Sequence, residues 1–508
     1  MTVAEVGVHD IKRLALRGGL AKLISQAGNS ALRFGFLIVA ARLLEPKDFG
    51  LVAMVTVFTA VLDLFSTAGL SSATVQRSTV NTEQISTLFW INILVGVTLS
   101  IVCVLIAPLV VAFYHEPRLF WVTVVMGAGF IFNAAGVQHL ALLQRQMRYA
   151  TLAIIEFSCQ LATFGLALCL ALAGYGYWAL VAAAIALPAA MTISTWTATG
   201  WIPGLPKRNA DIRSMLHFGG TLTLNGVVSY VTVNFDKFLV GRIWGATALG
   251  NYSVAAQLIN TPVSHLNLAL GGVTFSALSR LQNDAVRFRS YFLKGYALNV
   301  SLTLPIIIFS AVFANDIVIV ALGQKWADAA IIFQMLAPAV LFIALVNPLV
   351  WVLFASHRHV RSLLLALVIA LLVPIGCLAG LRYGPQGVAA GYSAAMMLWL
   401  IPHVVWCLRG TPITPLDLFR TGSTPLFSAI VATALAYAAC AYLAPLQTPV
   451  SRLVLAGAVM MAVYAGLMVL VMGKDFYLDL VRAMRNTSLS SSEKREVEGA
   501  NGLSLTPK

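Results

Sequence analysis

Charged residues are scarce in this chain of 508 residues, since Asp, Glu, Lys and Arg make up only 10% of it. Soluble globular domains contain about 25% charged residues. Hydrophobic residues make up 59%, and apolar runs of about 20 residues, long enough to cross a bilayer as a helix, follow one another along most of the sequence. The composition excludes an ordinary soluble protein and predicts an integral membrane protein.

Other missing patterns exclude further classes. The apolar runs do not alternate with polar residues, which excludes a membrane-spanning β-barrel. The six cysteines have no C-x-x-C spacing, so we expect packing residues and no metal site. Residues 1–17 have no short apolar core followed by a cleavage site, so we expect no cleavable signal peptide. No long loop or paired-carboxylate motif is present, which disfavours a glycan polymerase, ligase or glycosyltransferase.

The net charge is +14, but aromatic and basic residues are not interleaved as in a nucleic-acid reader, so no nucleic-acid partner is expected. With both ends on one side, about 23 Lys and Arg residues fall on the side of the termini and about 7 on the other. The positive-inside rule then places both termini in the cytoplasm. The basic excess also predicts attraction to anionic membrane lipids.

The sequence contains an internal repeat. Arg42 precedes Gly50 by the same interval as Arg242 precedes Gly250, and Arg148 matches Arg358 further along. Each repeat holds roughly six apolar runs, an even number, so both halves enter the membrane in the same orientation. We therefore predict an all-α integral membrane protein with about 14 transmembrane helices: two six-helix lobes as a parallel repeat, plus two extra C-terminal helices. This architecture is typical of transporters.

The predicted organisation follows the apolar runs. The segments are a cytoplasmic lead-in (1–18), an N-terminal lobe (19–201), a cytoplasmic inter-lobe linker (202–212), a C-terminal lobe (213–410), helices 13 and 14 (424–472) and a cytoplasmic tail (473–508).

Helix 1 carries a polar stripe, because Lys22, Gln26, Asn29 and Arg33 are spaced by three or four residues and share one helical face. A cationic side chain inside hydrocarbon is unfavourable by a few kcal/mol unless it faces water or a partner. Arg33 is therefore predicted to face a water-filled cavity. Lys22 either joins it or extends to the membrane surface.

Helices 2, 7 and 8 carry similar stripes, which predicts a polar cavity between the lobes lined by helices 1, 2, 7 and 8. Asp63 could pair with Arg33 across it, whereas an ion pair at the membrane surface is the alternative for Asp236. No catalytic or metal-binding residue is predicted. The candidate substrate-binding residues are Lys22, Gln26, Asn29, Arg33, Asp63, Asn225, Asp236, Gln257, Asn260 and Asn267.

Four segments carry a resemblance to a known family. They are ARLLEPKDFG at 41–50, DLFSTAGL at 63–70, DKFLVGR at 236–242 and ALGNYSVA at 248–255. The sequence resembles polysaccharide-export flippases of the multidrug/oligosaccharidyl-lipid/polysaccharide exporter superfamily, in particular exopolysaccharide flippases of the colanic-acid and succinoglycan type.

This resemblance implies a two-lobed flippase of the bacterial inner membrane that moves undecaprenyl-pyrophosphate-linked oligosaccharide by alternating access. It implies no cofactor, with H⁺ or Na⁺ as candidate coupling ions, and polysaccharide polymerase and chain-length machinery as candidate partners. Helices 13 and 14 become candidates for holding the lipid tail. Because Arg suits bidentate phosphate contact, Arg33 is the first choice for the pyrophosphate and Lys22 the second. The alternative is a cation-coupled multidrug antiporter of the same fold.

Overall fold

The computed structural model describes residues 26, 28–67, 81–206, 226, 230–356, 358–442 and 448–471, and in these ranges the chain is helical without any β-strand. The first lobe contains α1 (28–43), α2 (Pro46–Thr67), α3 (Thr82–Tyr114), α4 (Leu119–Arg145), α5 (Tyr149–Leu172) and α6 (Tyr177–Thr199). The second contains α7 (235–244), α8 (246–280), α9 (Ala285–Val312), α10 (Ala314–Leu322), α11 (Ala327–Ala355), α12 (His359–Gly380) and α13 (Gly384–Leu408). Two further helices follow, α14 (Pro415–Tyr442) and α15 (Pro449–Val471).

Gly245 separates α7 from α8 within the helical stretch Phe235–Arg280. Its φ of 77° lies in the left-handed region, which a residue with a Cβ rarely adopts. The glycine therefore allows the sharp turn between two membrane helices at the centre of the sequence. Pro262, further along α8, does not interrupt the helix.

Within the described residues, 10 helical stretches are long and apolar enough to cross a membrane by length and composition. One of them, Val360–Leu408, contains both α12 and α13. Together with α1, α7 and α8, these stretches occupy, at least in part, the positions of the predicted spans. The prediction of an all-α, multi-pass membrane protein is confirmed.

The helices of the two halves pack in the same order. In the first half α2 packs on α4, α3 on α4, α4 on α6 and α5 on α6. In the second half the stretch containing α8 packs on α11, α9 on α11, α11 on α13 and α12 on α13. Each pair in one half has its counterpart in the other, which confirms the predicted repeat of two lobes.

Matched arginines cap corresponding helices of the two lobes. Arg148 donates from Nη1 to the carbonyl of Ala198, in the last turn of α6, at 2.9 Å. Arg358 donates to the carbonyls of Arg409 and Gly410, just after α13 ends. A cation at a helix C-terminus satisfies carbonyls that have no intrahelical donor and complements the helix dipole.

The two C-terminal helices are attached to the second lobe at both ends of α9. Arg289 in α9 forms a bidentate pair with Asp417 in α14, with N–O distances of 2.9 and 2.6 Å. At the other end, Asp316 in α10 pairs with Arg452 in α15 at 3.4 Å. Tyr464 of α15 donates to the carbonyl of Ser301 at 2.8 Å. The pair therefore belongs structurally to the second lobe.

The lobes meet closely where α2 and α8 begin, and we call this end of the molecule the closed end. A Cβ placed on Gly50 would lie 1.7 Å from the carbonyl oxygen of Ala246, and one on Gly250 would lie 1.8 Å from that of Pro46. The two contacts are related by the same sequence offset that defines the repeat. The matched glycines therefore let two helix backbones touch at the lobe interface.

Candidate functional site

A cavity of about 300 Å³ lies away from the closed end, and we call it the polar chamber. It is lined by Gln26 and by side chains of α1, α5, α6 and α8, namely Asn29, Ser30, Arg33, Glu156, Gln160, Leu187, Met191 and His265. The helical spacing of the α1 stripe brings Gln26, Asn29 and Arg33 to one wall. These three candidates are placed together, as their spacing predicts.

Arg33 is held by Gln160 of α5. Its Nε donates to Oε1 of Gln160 at 3.2 Å, and the Gln160 side chain is only 4% exposed. The residues that the structure describes offer the two Nη groups of Arg33 no hydrogen-bond or ion-pair partner. A guanidinium fixed through Nε presents its remaining donors as a fork that matches a phosphate or carboxylate.

His265 reaches the polar chamber from the second lobe. Its Nδ1 lies 3.0 Å from Oγ of Ser30, and that hydroxyl donates to the carbonyl of Gln26 at 2.6 Å. Ser30 therefore links the Gln26 carbonyl to the imidazole of His265. This hydrogen bond joins α1 to α8 across the lobe interface.

A second cavity, of about 410 Å³, lies inside the first lobe between α2, α4 and α6, and we call it the apolar chamber. Its polar lining consists of Asp63 and Asn133 together with Thr59, Thr192 and Thr195. Oδ1 of Asp63 accepts from Oγ of Ser66 at 2.7 Å and from Nδ2 of Asn133 at 3.2 Å. Leu187 and Met191 line both chambers, so the two cavities adjoin.

The hypothesis of an ion pair between Asp63 and Arg33 is wrong. Asp63 is bonded within the first lobe to α4, whereas Arg33 is bonded to α5. Both side chains face cavities, as their stripes predict, but Asp63 lines the apolar chamber and Arg33 lines the polar chamber. A stripe identifies the residues that share a helix face and leaves open which neighbouring helix that face meets.

Asp236 does not line either chamber, and it does not form the alternative surface ion pair. It is 4% exposed and accepts from the hydroxyl of Tyr252 at 2.7 Å within the second lobe. The adjacent Lys237 donates from Nζ to Asn234 at 2.9 Å instead. Because Tyr252 belongs to the core cluster that joins the lobes, this carboxylate is part of the packed interior.

The remaining candidates lie elsewhere. On α8, Gln257 is exposed, Asn260 is half-buried and Asn267 is 3% exposed, and none of them lines either chamber. Lys22 and Asn225 lie outside the described residues. The predicted lining by helices 1, 2, 7 and 8 therefore holds in these chambers for α1, α2 and one residue of α8, while α4, α5 and α6 supply the rest.

Sequence reasoning missed Asn133, which has apolar neighbours on both sides, and Thr192, although Thr192, Thr195 and Thr199 recur at helical spacing in α6. Glu156 and Gln160 of α5 do form a recognisable i, i+4 pair. That pair was the available signal that α5 also faces the cavity. Taken together, the two lobes, their close crossing and the polar chamber define a membrane transporter.

The fold is similar to that of solved transporters. The structure titled "Lipid II flippase MurJ, inward closed conformation" aligns with a TM-score of 0.71 and 14% identity, covering 92% of this chain and 100% of that one. An inward-facing multidrug resistance MATE family transporter of the MOP superfamily aligns with a TM-score of 0.57 and 16% identity, covering 79% and 99%. At these identities the likeness concerns the fold.

The sequence assigns the chain to one family among the proteins that share this fold. Residues 39–331 match the family described as "Polysaccharide biosynthesis protein", and the chain belongs to this family. The lipopolysaccharide biosynthesis protein WzxC of Escherichia coli (strain K12) is 25% identical over 369 residues, 71% of this chain and 74% of that protein. The teichuronic acid biosynthesis protein TuaB of Bacillus subtilis (strain 168) is 28% identical over 303 residues, 59% and 61%. The resemblance inferred from the sequence motifs is confirmed.

Proposed function

We propose that this chain is a flippase that moves lipid-pyrophosphate-linked oligosaccharide repeat units across the bacterial inner membrane for polysaccharide biosynthesis. The proposal is supported by the family and by the names of its relatives, which include a succinoglycan biosynthesis transport protein, ExoT of Rhizobium meliloti (strain 1021). With both termini cytoplasmic, the closed end is periplasmic and the chambers are reached from the cytoplasmic side.

The observation that carries this function is the Arg33 guanidinium in the polar chamber. A charged group inside an apolar bundle is unfavourable by a few kcal/mol and persists where it serves an anionic ligand or water. Its Nε is bonded to Gln160, so its terminal donors are pre-oriented for a diphosphate, and little side-chain entropy is lost on binding. We infer that Arg33 binds the pyrophosphate and that Gln160 positions it.

The same chamber argues against the multidrug antiporter. Its wall combines the charged Arg33 and Glu156 with the amides of Gln26, Asn29 and Gln160. A lipophilic cation offers no acceptor to the guanidinium, whose Nη groups would then stay unsatisfied in a desolvated site. An anionic, hydroxyl-rich substrate satisfies both kinds of group.

Flipping breaks no covalent bond, so the proposed activity is transport and not enzymatic catalysis. The glycan and pyrophosphate need a polar path because neither can cross hydrocarbon alone. The lobes alternate between opening towards the cytoplasm and towards the periplasm around that path. Coupling to H⁺ or Na⁺, and contacts with a polymerase and chain-length machinery, stay predictions.

The test measures binding of undecaprenyl pyrophosphate to the purified chain in lipid nanodiscs. We expect Arg33→Gln to weaken binding roughly tenfold, because a charged hydrogen-bonding group contributes about 1.5 kcal/mol or more. Arg33→Lys should recover only part of the loss, because an ammonium lacks the bidentate fork. Arg382→Gln is the matched control, since Arg382 is exposed in the turn before α13 and bonds to none of the described residues.

The cellular counterpart uses a strain that lacks the chain. We expect complete lipid-linked repeat units to accumulate on the cytoplasmic leaflet of its inner membrane. Accumulation of incomplete glycans would indicate an enzyme. Loss of drug resistance with normal polysaccharide would indicate the antiporter. Either result would overturn the proposal.

A further inference from the structure

We propose that the apolar chamber between α2, α4 and α6 is the glycan subsite, which binds the sugar nearest the pyrophosphate. This inference rests on the proposed function. It divides the ligand between two neighbouring cavities: the diphosphate lies at Arg33 in the polar chamber, and the first sugar enters the interior of the first lobe.

The position of the two chambers supports this division. Leu187 and Met191 of α6 line both of them, so the two chambers are neighbours. In a lipid-linked oligosaccharide the sugar is bonded directly to the diphosphate. The subsite for the first sugar must therefore adjoin the subsite for the diphosphate.

The size and lining of the apolar chamber suit a sugar ring. Its volume of about 410 Å³ lies in the range of about 300 to 1,000 Å³ typical of small-molecule sites, which combine apolar walls with a few placed polar groups. Met126, Phe130 and Val137 supply apolar wall. A pyranose ring likewise combines apolar and polar groups, with C–H groups on its faces and hydroxyls around its rim.

The polar wall is arranged as a set of acceptors. The carboxylate of Asp63 accepts hydrogen bonds from Ser66 and from Nδ2 of Asn133, which fix its position. Because Asn133 donates through Nδ2, its amide oxygen, Oδ1, is left as an acceptor at the chamber. Fixed acceptors on neighbouring helices suit adjacent hydroxyl groups, each of which has one proton to donate.

A backbone acceptor lies on the opposite wall. Pro188 of α6 has no N–H, so it cannot donate to the carbonyl of Ala184 one turn earlier. Ala184 and Pro188 both line the apolar chamber, and a Cβ on Gly129 would lie 4.0 Å from that carbonyl oxygen. Proline in α6 and glycine in α4 thus present a backbone carbonyl to the chamber, where a hydroxyl can satisfy it.

A lipophilic cation is the competing occupant, since it would also use apolar walls and a carboxylate. One feature favours the sugar. The carboxylate of Asp63 already accepts two internal hydrogen bonds, which spread its charge, so a cation would gain less from it.

The experiment compares two probes on the full chain in nanodiscs: undecaprenyl pyrophosphate, and the lipid-linked oligosaccharide extracted from cells that lack the chain. We expect the wild type to bind the second at least about tenfold more tightly, since burial of a hydrogen-bonded sugar adds to the diphosphate contact. Gly129→Leu fills the chamber and should erase this difference, while affinity for undecaprenyl pyrophosphate stays within roughly twofold. Gly165→Leu is the matched control, because a Cβ there, on exposed α5 surface, meets nothing within 4 Å.

Asn133→Ala provides a second variant that keeps the chamber open and removes one acceptor. This substitution should reduce several-fold the difference in affinity between the lipid-linked oligosaccharide and undecaprenyl pyrophosphate. Thermal unfolding of each variant verifies that the fold is intact. If either folded variant keeps the wild-type difference in affinity between the two lipid probes, the glycan subsite is wrong. It is also wrong if the lipophilic cation tetraphenylphosphonium binds the wild type and this binding is lost in Gly129→Leu. If the wild type binds neither lipid probe, the proposed function itself fails.

Discussion

Gly50→Leu is expected to lower transport by more than about a hundredfold, with a similar loss for Gly250→Leu, because neither side chain can be accommodated at the closed end. An ideal Cβ on either glycine lies within 2 Å of a backbone carbonyl of the opposite lobe, at 1.7 and 1.8 Å. Backbone atoms cannot rotate away as a flexible side chain would. The lobes would have to separate, which removes the state in which this end is sealed.

Two measurements test this prediction: the flipping rate in proteoliposomes, and thiol crosslinking across the closed end. Glu45 and Lys325 lie on opposite lobes with an N–O distance of 3.6 Å, so Glu45→Cys and Lys325→Cys form a reporter pair for a short bifunctional reagent. The background carries Cys169→Ser, because Cys169 is exposed while the other five cysteines are buried. Crosslinking should fall with transport in both glycine variants.

The control is Gly466→Leu on α15, where a Cβ meets nothing within 4 Å. It should leave both readouts at the wild-type level. Normal transport by folded Gly50→Leu would show that the close crossing is dispensable. Loss in only one of the two glycine variants would show that the repeat does not make the two contacts equivalent.

This crossing illustrates what the sequence could predict. The matched Arg–Gly spacings identified the repeat, and the repeat with its apolar runs predicted the helices and their pairing. The reason for the glycines became visible only in the structure. Gly50 packs on a residue far away in sequence, Ala246, and no local pattern reports the distance between two helix backbones.

The candidate site was predictable where one helix supplies several residues. Gln26, Asn29 and Arg33 follow the helical period, so their common orientation could be inferred. The apolar chamber takes Thr59 and Asp63 from α2 and Asn133 from α4, and only tertiary packing brings the two helices together. Asp236 has the same pattern as a cavity residue, yet its face meets Tyr252 in the core.

The structure also makes the asymmetry between the lobes concrete. Val233 occupies the position that the repeat makes equivalent to Arg33, so the second lobe has no cation there. Of the residues that line the two chambers, His265 belongs to the second lobe and the others to the first. The repeat supplies a symmetric scaffold for the crossing, and one of its copies carries the proposed binding groups.

The same asymmetry appears in the arginines of the closed end and leads to the second prediction. Arg42 donates from Nη2 to the carbonyl of Val320 and from Nε to that of Ala321 at 3.0 Å, in the last turn of α10. Its own carbonyl accepts from Lys325 at 3.1 Å. Its repeat partner Arg242 only approaches Nδ1 of His115, at 3.4 Å, and lies 5.3 Å from the ring centre of Phe113.

These contacts differ in strength enough to predict an order of effects. Arg42 makes two hydrogen bonds from a cation to helix C-terminal carbonyls. Because the site is exposed, we take the lower end of the range for charged hydrogen bonds, and the two together then contribute about 3 kcal/mol. A long hydrogen bond with an exposed cation–π contact contributes about 0.5 to 1 kcal/mol. Arg42→Gln should therefore shift the balance away from the sealed state roughly a hundredfold, and Arg242→Gln only about two- to fivefold.

Crosslinking of the Glu45→Cys and Lys325→Cys pair, measured as a rate at fixed reagent concentration, tests this order directly. Arg382→Gln should match the wild type, since Arg382 bonds to none of the described residues. Equal effects of the two substitutions would mean that the repeat enforces equal interactions at both sites, and the difference in contacts would then not govern the seal. A larger effect in Arg42→Gln would show that the seal depends mainly on the first-lobe arginine, on the lobe that also carries Arg33.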